Sequence, residues 1–266
     1  MVGTSLNLPA YTLYTAYEAQ ADKRLDAFKK SPEIAREVEY FQERMAEIET
    51  VEEFIDDRRL LQFALSAHAM DGEEQYPARV KAILTEDSSD NASLVNRMTD
   101  PRFKEIAEFF EFHGRDLNKI KLSTNQEKLI DKFITNEYEK SMGEENPALR
   151  QIAYFKRKIA DMTDMFEVLG DKILREVVQT TFDIPQQVVF QSVDKQKEVF
   201  EARISIEDLT DPAGLEKFAQ RFLIKSDANA QANGGFAAGG GGGWQTQLFA
   251  QSASGNAASG LFNLLI

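Results

Sequence analysis

Few side chains in this sequence are of a type that does chemistry. It has two histidines, His68 and His113, and no cysteine. The lack of cysteine removes disulfides, thiolate metal sites and Cys nucleophiles. Neither a Gly-x-Ser-x-Gly elbow nor a His-Glu-x-x-His pair occurs, so no local pattern supports a His-based triad or a zinc helix. Both histidines fall near predicted helix C-termini, where a His complements the helix dipole or sits half-buried.

The acidic candidates are equally bland. Glu86-Asp87-Ser88-Ser89-Asp90-Asn91 resembles a calcium loop only in part. Ala92 stands where the central Gly belongs, and Met98 where the closing Glu belongs, so the segment reads as a solvated loop. Asp57 and Asp171 occupy equivalent places in a repeated block. Paired carboxylates can do acid–base work, but equivalent residues usually play equivalent structural parts. Each is expected to accept a hydrogen bond or to pair with a base on its own helix. The run Gly239 to Gly243 lacks the Lys-Ser/Thr that completes a phosphate loop and reads as a linker. Lys156-Arg157-Lys158, the densest basic run, reads as the wet face of a helix. With 31 Lys and Arg against 44 Asp and Glu, the net charge of −13 disfavours nucleic acid. The expectation is a non-enzyme with no catalytic residue, no cofactor and no bound metal.

These side chains are carried on a self-similar chain. Shifted by 114 positions, residues 40–70 fall on 154–184 without a gap. Tyr40-Phe41 meets Tyr154-Phe155, Asp57 meets Asp171 and Leu60 meets Leu174. The apolar positions agree as well, Ile48 with Met162 and Phe63 with Val177 among them. So do the caps. Thr50-Val-Glu-Glu53 has capping-box spacing, and its counterpart is Asp164-Met-Phe-Glu167. Further on, Thr99-Asp100-Pro101 matches Thr210-Asp211-Pro212, each with Asp as cap and Pro at the first helical position.

The spacing predicts helices over 32–48, 51–70, 76–85 and 101–113, and again over 147–162, 165–182, 189–200 and 212–222. Further helices precede each set at 10–29 and 124–142, the latter ending at Gly143 as C-cap. The fold class is mainly α, a tandem duplication of a multi-helix unit forming two packed helical lobes. The implied divisions are an N-terminal helical segment 1–30, repeat 1 at 31–123, a linking helix with repeat 2 at 124–225, and a tail at 226–266.

The tail opens as a Gly/Ala/Asn-rich stretch, read as a flexible linker. Trp244, Leu248, Phe249, Leu261, Phe262, Leu264, Leu265 and Ile266 follow at near-helical intervals. They are the candidate partner-docking residues, in a segment that would order on binding. The N-terminus shows no secretory signal pattern, and no stretch approaches the roughly 18 apolar residues of a membrane span.

Asp131-Lys-Phe133, Asn136-Glu-Tyr-Glu139, Met142-Gly143, Asn146-Pro147, Leu149-Arg150 and Tyr154-Phe155, with Ser31-Pro32-Glu33, Asp57-Arg-Arg-Leu-Leu61 and Asp100-Pro101-Arg102-Phe103, resemble an alphaproteobacterial family of unknown function. The likeness covers about residues 8–225 and leaves the tail outside. Members are typically encoded among flagellar genes, and the family brings no catalytic residues to carry over. The resemblance implies a bacterial, flagellum-associated structural or assembly protein acting through protein–protein contacts, cytoplasmic or exported through the flagellar apparatus. The alternative is a cytoplasmic adaptor or chaperone-like regulator of flagellar export, for which an acidic surface suits basic clients.

Overall fold

The computed structural model describes residues 8–232. In chain order the helices are α1 (Ala10–Glu18), α2 (Ala21–Lys29), α3 (Pro32–Glu47), α4 (Val51–Asp56), α5 (Arg58–Ala67), α6 (Pro77–Thr85), α7 (Pro101–Phe110), α8 (Phe112–Arg115), α9 (Ser123–Glu145), α10 (Pro147–Ile159), α11 (Met165–Gly170), α12 (Lys172–Phe182), α13 (Val193–Glu201), α14 (Ile206–Thr210) and α15 (Pro212–Ala232). Short 3-10 turns lie at Glu73–Gln75, Val95–Arg97 and Gln186–Phe190. Among the described residues there is no strand, and the mainly α class holds.

The helix starts follow local chemistry. Pro stands at the first turn of α3, α6, α7 and α10, where a missing N–H removes nothing from the ladder. Thr50 and Asp164 cap α4 and α11 in full capping boxes with Glu53 and Glu167. Asp100 caps α7 through the Arg102 N–H, and the Asp211 carboxylate takes the Gly214 N–H at 2.8 Å. Ser205 caps α14 in a further capping box, with Asp208.

Several boundaries differ from the periodic reading, each for a stated reason. The helix expected over 51–70 breaks at Asp57, and that over 165–182 at Asp171. Each Asp has extended backbone, ends one helix and caps the next. The expected 101–113 helix breaks at Glu111, whose φ of 49° ends α7. Gly143 is not a C-cap but lies inside α9, where a Cβ would sit 3.0 Å from the Arg150 Cβ. Helix α15 continues to Ala232, into the stretch read as linker. Its Ala residues are strong helix formers, and Asp227 on it accepts the Ala10 N–H at 2.8 Å.

The described residues form two compact units. The first comprises 8–27 and 138–232. Here α10, α12 and α15 pack together around Phe155 and Phe218, stacked at 4.7 Å, with Leu174, Val177 and Phe222. Helix α1 closes this core: Tyr14, 2% exposed, donates to Glu216 at 2.7 Å, and Tyr17 donates to Glu145 at 2.6 Å. The second unit comprises 28–137. Phe41, Phe63 and Phe133 form a stack with centroids 4.5 and 3.9 Å apart, and Phe54 packs against Phe110 and Phe112, each at 5.3 Å. Such aromatic pairs add to the area they bury.

The repeated block corresponds locally between α3–α5 in one unit and α10–α12 in the other. Each has the capping box, the helix-breaking Asp and a Tyr seventeen residues earlier that donates to it. The likeness is established for this block and not for a larger duplicated unit.

Candidate functional site

The acids with chemical potential are committed to the backbone. Asp57 accepts the Arg59 and Leu60 N–H groups, the Tyr40 hydroxyl at 2.8 Å and the Arg44 Nε at 2.8 Å. Burial acts to raise its pKa, but the Arg44 guanidinium, the Leu60 N–H and the Tyr40 hydroxyl outweigh it and hold the carboxyl below its usual range. Asp171 is buried and accepts Ile173 N–H at 2.8 Å, Leu174 N–H at 3.1 Å and the Tyr154 hydroxyl at 2.7 Å. Each takes the N-terminal N–H groups of the helix it begins, which matches the structural reading of the pair.

The two histidines differ. His68 ends α5 and is buried, its ring edge-on to Phe109 at 5.2 Å and its Nδ1 3.6 Å from Glu105. The same Glu105 oxygen takes Lys132 Nζ at 2.5 Å. His113 is exposed, with Nε2 3.9 Å from Asp87.

In the acidic loop, Asp87 accepts from Ser89, Asp90 from the Ala92 N–H, and Glu86 from the Leu94 N–H. These carboxylates close the loop on itself. Among the described residues no group of three or more His, Asp or Glu is arranged to hold a metal ion.

The basic run on α10 is not simply a wet face. Lys156 donates to the Tyr14 hydroxyl at 2.7 Å and lies 3.2 Å from Glu18. Arg157 clamps the buried Glu139 through two bonds of 2.7 and 2.9 Å. All three side chains are half-buried. The periodicity placed them outward, but α1 and α9 bring carboxylates over them.

One buried carboxylate, Glu73, and one half-buried carboxylate, Glu176, lie outside these clusters. Glu73 is 1% exposed, and burial raises its pKa against the opposing pull of Arg79, which donates to it. Arg102 is also buried, bound to Asp100 and to the Ala69 carbonyl. Glu176 on α12 is likewise pushed up by burial. Among the described residues, a small apolar crevice between α5, α6 and α7 is lined by Leu65, Val80, Leu84 and Phe103 and leaves no room for a water molecule. Nothing polar lines it, so no chemistry is available there.

The notable surface feature lies in the first unit. Phe190 is 83% exposed and Val193 55%, with Val189 beside them at 38%. The turn that carries them is firmly held. Val188 points inward and is buried, and Gln196 donates to the Val189 and Gln191 carbonyls. Ser192 caps α13 just after the turn. Phe166 on the neighbouring α11 is 39% exposed, with the Lys197 ammonium over its ring at 4.3 Å. The segment thus holds a bare phenyl ring out to solvent, an exposed apolar group of the type found at contact surfaces.

This strip was not picked out in the sequence, where 189–200 reads as a helix. The available signal was the ten-residue run Ile184 to Val193, which carries no charge in a chain that is 28% charged. The docking residues that were picked out, Trp244, Leu248, Phe249, Leu261, Phe262, Leu264, Leu265 and Ile266, lie outside the described residues.

Comparison with known proteins agrees with the all-helical picture. No curated protein matches the chain. An X-ray structure of a protein from Agrobacterium tumefaciens superposes with a TM-score of 0.73 at 30% sequence identity, covering 83% of this chain and 94% of that one. The motif residues of the α9–α10 corner have scaffold roles: Asn136 donates to Ser66, Glu139 holds Arg157, and Asn146 caps α10. A family model described as "Protein of unknown function (DUF1217)" matches residues 67–215, more than half the sequence, and the chain belongs to that family.

Proposed function

We propose that this protein is a non-catalytic structural or assembly protein that acts through protein–protein contacts, in the flagellar setting implied by the resemblance. The observation that carries the reading is the Val189–Phe190–Val193 strip, bare phenyl and valine side chains on a turn pinned from behind. Supporting it, the acids that drew attention as chemistry are taken up as caps and clamps. An exposed aromatic anchor amid polar surface is the residue type that dominates protein interfaces.

The test is capture of partners from a bacterial lysate by the intact chain and by Phe190→Asp. Loss of specific flagellar components with the variant is the expected result. Identical partner sets, or normal flagella and motility after gene deletion, would overturn the proposal. A second reading, a cytoplasmic adaptor or chaperone for export substrates, is favoured by the net charge of −13. Presence in purified hook–basal bodies supports the first reading, and an exclusively cytosolic pool the second.

A further inference from the structure

We propose that the strip formed by Val189, Phe190 and Val193 is the docking place of the chain's own apolar terminus, residues 244–266. This rests on reading the strip as a contact surface and names the occupant that covers it until a partner displaces it. Three observations select the terminus over a second copy of the strip.

The first is charge. The strip sits in the uncharged run Ile184 to Val193, and from Asn233 to Ile266 the chain has no Asp, Glu, Lys or Arg, although its net charge is −13. An uncharged occupant meets no repulsion there and brings no unpaired charge to be desolvated.

The second is area. An aromatic side chain offers about 150–250 Å². Pairing two such strips would bury several hundred Å², short of the roughly 1,000 Å² that a stable interface needs. A segment tethered in the same chain needs far less, because a covalent connection a few residues long gives an effective concentration in the millimolar range.

The third is reach. Helix α15 ends at Ala232 in the unit that carries the strip. The eleven residues from Asn233 to Gly243 can span up to about 36 Å. Trp244, Leu248 and Phe249, spaced at four and one, then supply an apolar face for a phenyl anchor.

The single tryptophan, Trp244, makes this measurable in the intact chain. Its emission should be blue-shifted relative to the unfolded chain and shielded from a soluble quencher, to the same degree at all protein concentrations. Phe190→Asp with Val193→Asp should abolish both effects while far-UV circular dichroism stays unchanged. Phe190→Ser, milder and at a residue 83% exposed, serves if the double variant loses helicity. Leu248→Asp with Phe249→Asp should remove the shielding from the other side of the contact.

An intact chain whose Trp244 emits as it does when unfolded would overturn the proposal. So would shielding that survives the strip variants, or shielding that grows with concentration, which would make a second copy the occupant. The outcome is independent of lysate capture. Shielding can be lost while partners remain, or persist where no partner is found, so the two readings fail separately.

Discussion

Replacing Asp171 with Ala should destabilise its unit more than replacing Asp57 does in the other, although the two residues have the same local role. Each change removes a cap that accepts two helix N–H groups, about 1 kcal/mol. The difference lies in the tyrosine. Tyr154 is 0% exposed, so loss of the carboxylate takes away the acceptor of a hydroxyl that water cannot reach, about 2 kcal/mol more. Tyr40 is half-buried and can turn its hydroxyl to water. The partly exposed Arg44 pair contributes under about 1 kcal/mol.

We therefore expect about 3 kcal/mol for Asp171→Ala and about 1.5 kcal/mol for Asp57→Ala. Native-state hydrogen exchange over α12 and over α5 reads each in its own unit. The gap should appear as roughly tenfold greater loss of protection at α12. Tyr154→Phe in the Asp171→Ala background should recover part of the loss, a coupling of about 1 kcal/mol or more. Equal losses at the two helices, or additive double variants, would refute the assignment of the excess to the buried hydroxyl.

Other perturbations have a clear sign. Gly170→Ala should stabilise by about 0.5–1 kcal/mol, since a Cβ there meets nothing within 4 Å, whereas Gly214→Ala, whose Cβ would lie 2.2 Å from the Asp208 carbonyl oxygen, should cost about 2–3 kcal/mol; thermal unfolding distinguishes them. Asp57, held low, contributes stability above the ordinary Asp value and loses it as pH falls through the folded value. The loss caused by Asp57→Asn should thus be full above about pH 4 and fade on acidification. Glu73, pushed up by burial, works the other way: its contribution is present at low pH and lost as pH rises through the folded value. Glu73→Gln should therefore gain on the parent as pH rises above about 4.3, read from urea titrations at each pH. Tyr14→Phe removes the bonds to Glu216 and Lys156 and should lower exchange protection in α1 by about 1 kcal/mol.

What could be read from the sequence was the short-range chemistry. The boxes at Thr50–Glu53 and Asp164–Glu167, and the Asp-Pro starts at Asp100 and Asp211, depend on residues within a turn of each other and so leave a local mark. The breaks at Asp57 and Asp171 left none in the pattern, because Phe54, Leu61 and Leu65 keep helical spacing across the break and all are buried. No Gly or Pro marks Asp57, and the Asp side chain alone terminates one helix and starts the next. The reach of α15 to Ala232 was hidden by composition, since Ala-rich sequence serves both linker and helix; the bond from Ala10 to Asp227, 217 residues apart, favours the helix. The partners of Lys156 and Arg157 and the exposure of Phe190 depend on which helices pass overhead, which periodicity along one segment does not encode.

The two proposed functions differ in how they respond to salt. An adaptor that captures basic clients with an acidic surface relies on exposed charges, and the screening length falls from about 10 Å at 0.1 M to 3 Å at 1 M salt. Its complexes should dissociate as salt rises. Contact through the strip is different: Val189, Phe190 and Val193 carry no charge, and the stretch around them from Ile184 has none. Apolar burial is not screened, and salt weakens the repulsion between a chain of −13 and any acidic partner. Capture through Phe190 should then hold or strengthen between low and high salt, and remain sensitive to Phe190→Asp throughout. Partners that wash off with salt and ignore Phe190→Asp would place the activity on the acidic surface, and the strip would lose its role as the contact.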